Sequence, residues 1–128
     1  MLTLICGVSR AGKTTFSKQF DDVIHLDEYG TILERYENVN KIVSEREDAI
    51  VEGVYDHVPL RLALLEAYKG EKRICIFLNP TEEEIKSRPW AKRHGYRMPP
   101  FEPPTYSEGW DEIIVIGDEH DEGRNYKE

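Results

Sequence analysis

The sequence is poor in the residues that staple or metallate a small protein. Only two cysteines occur, Cys6 and Cys75. Each lies inside an apolar run with no second Cys or His at metal-ligand spacing, which argues against a disulfide framework or a zinc site and leaves two reduced core thiols. Basic charge is also short, with 17 Lys and Arg against 25 Asp and Glu and a formal charge of -8. That balance weighs against a general nucleic-acid coat, whose affinity comes from neutralising phosphates. No apolar run approaches the roughly 18 residues of a membrane span, and Met1-Leu2-Thr3-Leu4-Ile5-Cys6 does not read as a signal peptide. A soluble, cytoplasmic protein without a membrane partner is expected. Internal repeats and low-complexity linkers are missing as well. The 128 residues suffice for one core, expected over residues 1–117, with a polar acidic tail over residues 118–128 that has almost nothing to bury and is expected to fray.

Five short apolar runs are present, at residues 2–6, 23–26, 49–51, 73–78 and 113–116. Most are near-continuous Val, Ile and Leu, the pattern of strands buried on both faces of a parallel sheet. The segments between them are long enough for crossover helices, expected at 13–20, 28–46, 60–68 and from Thr81 onward. Thr81-Glu82-Glu83-Glu84 has the form of a capping box, and Pro89 is expected to kink or end that helix. The fold class that follows is α/β, with a parallel sheet of about five strands, the first strand central, and helices on both faces.

Gly7-Val8-Ser9-Arg10-Ala11-Gly12-Lys13-Thr14 matches the P-loop pattern G-x-x-x-x-G-K-[ST] at every specified position and is set between a strand and a helix start, which makes the expected α/β fold that of a P-loop NTPase. Such a loop turns successive amides inward around phosphates, and the helix start adds partial positive charge. Nucleotide contacts are expected from Gly7, Ser9, Ala11, Gly12, Lys13, Thr14 and Thr15. Lys13 should compensate charge on the β- and γ-phosphates of ATP, and the Thr14 hydroxyl should coordinate Mg2+. Arg10 stands at a variable position and is read as pointing to solvent.

Ligands of open parallel sheets bind beyond the carboxyl ends of strands, where two acids stand. Asp27 follows the second strand and is the preferred general base, a role compatible with capping a helix entered at Glu28. Glu52 follows the third strand, either to hold a water on magnesium or to stabilise the turn at Gly53. His25 is read as a half-buried structural histidine. Lys86, Arg88, Lys92, Arg93, His94 and Arg97 form a run without an acid, either a lid whose arginines stabilise the transferring phosphoryl group or a solvated helix face. Trp90 and Tyr96 within it suit stacking on a base or packing under the lid.

The ordered combination of P-loop, Asp27, basic run and Pro100-Phe101-Glu102-Pro103-Pro104-Thr105-Tyr106-Ser107-Glu108-Gly109-Trp110 resembles the 5'-hydroxyl polynucleotide kinase domain. The resemblance runs from Leu2 to about Ile116. It implies transfer of the ATP γ-phosphate to a hydroxyl acceptor, a 5'-OH end of RNA or DNA, with Asp27 as base, Lys13 and Thr14 as the ATP and magnesium groups, and Arg93, then Arg88, as lid arginines. Two departures fall on the acceptor side. The position three after the base, where the phage-type kinase carries an arginine for the substrate phosphate, is Gly30, and the segment after the third strand reads Glu52-Gly53-Val54-Tyr55-Asp56. Arg61 and Arg35, on adjoining helices, are the substitutes considered for that contact. Phosphatase and ligase motifs are missing, so a kinase domain alone is expected. A kinase for a nucleoside, nucleotide or other metabolite, or a nucleotide-binding module without catalysis, are the alternatives.

Overall fold

A computed structural model describes residues 1–117 and the backbone of residues 124–125. The chain runs β1 (Leu2–Cys6), α1 (Lys13–Ser17), β2 (Val23–His25), α2 (Arg35–Val43), β3 (Ala49–Gly53), α3 (Val58–Ala67), β4 (Arg73–Leu78), α4 (Glu82–Lys86), α5 (Pro89–His94), β5 (Glu112–Ile116) and β6 (Arg124–Asn125). Single 3-10 turns occupy Leu26–Glu28 and Tyr106–Glu108. The sheet order is β2-β3-β1-β4-β5-β6. The first five strands are mutually parallel, and β6 pairs antiparallel with β5. The expected parallel sheet is thus present, with the P-loop strand at its centre. Most of the acidic tail lies outside the described residues.

All five residues of β1 are buried, which explains the near-continuous apolar run. Leu2, Leu4 and Cys6 face a core completed by Val39 and Val43 of α2 and Leu64 of α3. Ile5 faces the opposite way, into a second core with Val8, Ile76, Leu78 and Ile85, edged by Phe16 of α1. Helices therefore cover both faces, as a parallel sheet needs. The two thiols stay free and buried, with Sγ atoms 3.6 Å apart.

The long helix expected over 28–46 does not form as one element. Gly30 sits at φ 119°, a left-handed geometry that no helix interior tolerates, and α2 starts only at Arg35. Asp27 consequently lies inside a 3-10 turn and caps no α-helix. At Thr81 the hydroxyl accepts from the Glu84 amide at 3.1 Å. Only this half of the capping box is made, and Glu84 Oε2 is buried without a partner. The helix begun after Thr81 ends at Lys86, ahead of Pro89, as one of the two expected outcomes had it, and Pro89 then opens α5, since a first-turn proline forfeits no intrahelical bond.

Candidate functional site

The P-loop leaves β1 through Gly7, where a Cβ would lie 2.6 Å from the Leu78 carbonyl oxygen. The end of the parallel neighbour β4 lies close alongside there and only hydrogen fits. The loop then passes Arg10 at φ 70° and Gly12 at φ 102°, the latter as N-cap of α1. The Ala11 amide donates to the Val8 carbonyl at 3.1 Å. The Lys13 ammonium also reaches that carbonyl, at 2.8 Å, and is only 8% exposed. Burial holds the Lys13 ammonium below the ordinary lysine value, against the raising effect of Glu52, Cys6 and Asp27. An anion arriving here meets a lysine that is already desolvated, so the attraction is less screened than in water.

A cleft of about 520 Å³ opens beside the loop. On one wall lie Ser9, Arg10, Gly12, Lys13, Thr14 and Thr15. The other wall carries Leu26, Asp27, Arg35, Tyr36, Glu52, Gly53 and Val54. Asp27 and Lys13 thus share one cavity, brought together because β2 and β3 end on the side where β1 enters the loop. Gly7 and Ala11 shape the loop from behind and do not line the cleft. Glu52 is buried, and its Oε1 takes a hydrogen bond from His25 Nδ1 at 2.8 Å.

The basic run packs against the outer side of the P-loop. Arg88 donates to the Arg10 carbonyl, and Tyr96 donates to the Ser9 carbonyl at 2.8 Å. The Arg10 guanidinium lies 3.7 Å from the Trp90 ring centroid, and His94 stacks on the same indole at 4.9 Å. Arg10 therefore does not simply project into solvent. Trp90 and Tyr96 serve here as contacts between α5 and the loop. Arg93 extends from the last turn of α5 into water, and neither Arg93 nor Arg88 lines the cleft.

Of the two substitute arginines, Arg61 is corrected to a framework role. It is fully buried and donates to Glu108, to the Tyr55 carbonyl at 2.7 Å and to the Pro103 carbonyl at 3.2 Å. Arg35 lines the cleft with its Nε shielded from water and without a hydrogen bond. Among the described residues, the other partly buried arginines, Arg46, Arg73 and Arg88, each donate to an oxygen. Tyr36, its ring edge-on to Tyr55 at 5.1 Å, was missed by sequence reasoning. Its signal, the first turn of α2, was hidden inside an overlong helix.

The fold is similar to that of a sugar kinase from Janibacter sp. HTCC2649, solved unliganded, with a TM-score of 0.68 and 18% identity over 91% of this chain and 84% of that one. It is also similar to the crystal structure of APE1195, with a TM-score of 0.63 and 15% identity over 95% and 87% of the respective chains. No protein-family model and no curated protein matches the sequence. Identities this low carry architecture alone, and the architecture, with the loop at residues 7–14, is the α/β fold of P-loop NTPases.

Proposed function

We propose that the protein is a phosphotransferase that uses magnesium and ATP to phosphorylate a hydroxyl of a small acceptor. The observation that carries this reading is the shared cleft, in which the P-loop lysine Lys13 and the strand-end carboxylate Asp27 face one space. Lys13 and the loop amides hold the phosphates and offset charge as the γ-phosphoryl group moves. Asp27 accepts the acceptor's hydroxyl proton and orients its oxygen for attack. The donors near the loop are hard oxygens, the Thr14 hydroxyl and the Glu52 carboxylate, and no cluster of three metal-ligating side chains exists among the described residues. That set fits an ion such as Mg2+, which keeps waters and takes substrate phosphates. Thr14 would hold it directly and Glu52 through a water. When bound, the ion neutralises charge developing between the β- and γ-phosphates.

A small acceptor is favoured by the acceptor wall, where Asp27, Arg35 and Val54 have Glu28, Glu34 and Asp56 close by in sequence. Such acids repel a polyphosphate strand, and Arg35 offers one cation for one anionic group. A 5'-OH polynucleotide end is the second reading, supported by the ordered motif combination and the basic run beside the loop. The proline-rich piece speaks less for it, because Phe101 stacks on Phe77 at 5.1 Å and the Pro103 carbonyl is held by Arg61, both framework contacts.

The test uses γ-labelled ATP and magnesium with separate pools of sugars, hydroxy acids, nucleosides, nucleotides and 5'-OH oligonucleotides. Label on a small-molecule pool is expected. Label confined to oligonucleotide ends overturns the small-acceptor reading, and ATP binding without transfer to any pool returns the protein to a non-catalytic nucleotide-binding module.

A further inference from the structure

We infer that His25 is a positioning residue, whose imidazole Nδ1 fixes the Glu52 carboxylate so that one oxygen remains for the nucleotide side of the cleft. The inference rests on the phosphotransferase reading above and adds to it a residue that lines no part of the cavity.

The argument begins in the sheet. β2 and β3 run parallel with His25 directly beside Glu52, so the two side chains leave the sheet on the same face. Their atoms meet at 2.8 Å. Glu52 lines the cleft and His25 does not, which sets the imidazole behind the carboxylate. A carboxylate can only accept, so Nδ1 is the donor in this bond. One Glu52 oxygen is thereby committed to the sheet, and the side chain loses the rotamer freedom that a glutamate otherwise keeps.

The neighbouring cation does not do this work. Lys13 donates its hydrogen bond to the Val8 carbonyl, so it acts on Glu52 as a nearby charge rather than as an anchor. Without His25 the Glu52 side chain would be free to swing toward the ammonium or out into the cleft, where it would compete with the phosphates for Lys13. With His25 in place the carboxylate stands at a fixed distance, available to a water of the bound ion. Partners that orient ligating groups from behind commonly cost about 10- to 100-fold in metal affinity when removed, and a partner of a group that holds the ion through a water stands at the low end of that range.

The experiment measures thermal stabilisation by ATP as a function of magnesium concentration, with unliganded melting as the control. His25→Ala should raise the magnesium concentration for half-maximal stabilisation by about 10-fold or more, with unliganded melting little changed. His25→Asn should restore the wild-type requirement, because the Asn amide nitrogen occupies the place of Nδ1. His25→Gln, whose amide nitrogen reaches further out, should not. A magnesium requirement unchanged in His25→Ala overturns the inference. Should that variant fail to fold, equal requirements for His25→Asn and His25→Gln overturn it instead. Wild-type protein that gains no stability from ATP and magnesium sinks the phosphotransferase reading itself, a result distinct from either.

Discussion

Arg61 and Glu108 form a buried fork, with Nε to Oε1 at 2.7 Å and Nη2 to Oε2 at 3.1 Å. The pair ties α3 to the 3-10 turn before β5, and Trp110 and Thr105 add donors to the same carboxylate at 3.2 Å and 3.0 Å. Removing one partner leaves an uncompensated charge in the core. Arg61→Met should therefore cost roughly 3–5 kcal/mol, read as a lowered urea midpoint, and adding Glu108→Leu should recover part of the loss. A single variant as stable as the wild type would show that the fork does not hold the segment.

The same pair sets an acid limit. Burial alone would raise the Glu108 carboxyl, but the hydrogen bond and charge of Arg61 outweigh it and hold the group below its ordinary value near 4.5. A depressed folded value means that this stabilisation is complete above the unfolded value and disappears as pH falls through the folded one. Glu108→Gln should flatten the loss of melting temperature below about pH 4.5 relative to wild type, while being less stable at neutral pH.

Strand positions were legible because β1, β3 and β4 are buried on both faces, and burial leaves a plain mark in Val, Ile and Leu. The loop between Asp27 and Arg35 was not, because a single residue decides it. Gly30 adopts φ 119°, and a helical-looking pattern on either side hides the break. Arg61 and Arg35 are alike as letters, yet one is spent inside the framework and the other faces the cleft. Their difference comes from Glu108, 47 positions from Arg61 in sequence, a partner that spacing alone does not connect. The backbone course of the P-loop was legible, since its glycines answer to local geometry, whereas the contact of Arg10 with Trp90 depends on a residue 80 positions away and was not.

Lys13 is expected to lower the stability of the empty protein. Its folded pKa is depressed by burial, so the unfolded chain binds the proton more readily and stability rises with pH through that range. Lys13→Met should melt higher than wild type without ligand and gain nothing from magnesium and ATP, a trade of stability against function. Equal ligand-induced shifts for the two proteins would dismiss the P-loop as the nucleotide site.

Asp27 should act on chemistry rather than on nucleotide binding, because it lines the cleft from outside the phosphate loop and caps no α-helix. Asp27→Asn should reduce turnover roughly 100-fold or more, with ATP-induced stabilisation preserved. Near-normal turnover would remove Asp27 from the base role.

The last prediction concerns Arg35 and Arg93, two cations that donate to no oxygen among the described residues. Arg93 lies in solvent on α5, while Arg88 braces the Arg10 carbonyl from outside. If α5 swings inward over bound ATP, Arg93 is exposed and free to follow. Arg93→Ala should then lower turnover by about 100-fold at saturating acceptor, and Arg88→Ala should lower it less. Arg35 stands on the acceptor wall, with a shielded Nε that has no partner. A charged hydrogen bond to an anionic acceptor is worth about 1.5–3 kcal/mol, so Arg35→Met should raise the acceptor KM on the order of 10- to 100-fold while ATP affinity holds. The two substitutions separate the two sides of the cleft: one moves kcat, the other KM for the acceptor. A loss of ATP affinity in Arg35→Met would place that arginine on the nucleotide instead, and unchanged kinetics in both would leave the basic run and Arg35 as surface.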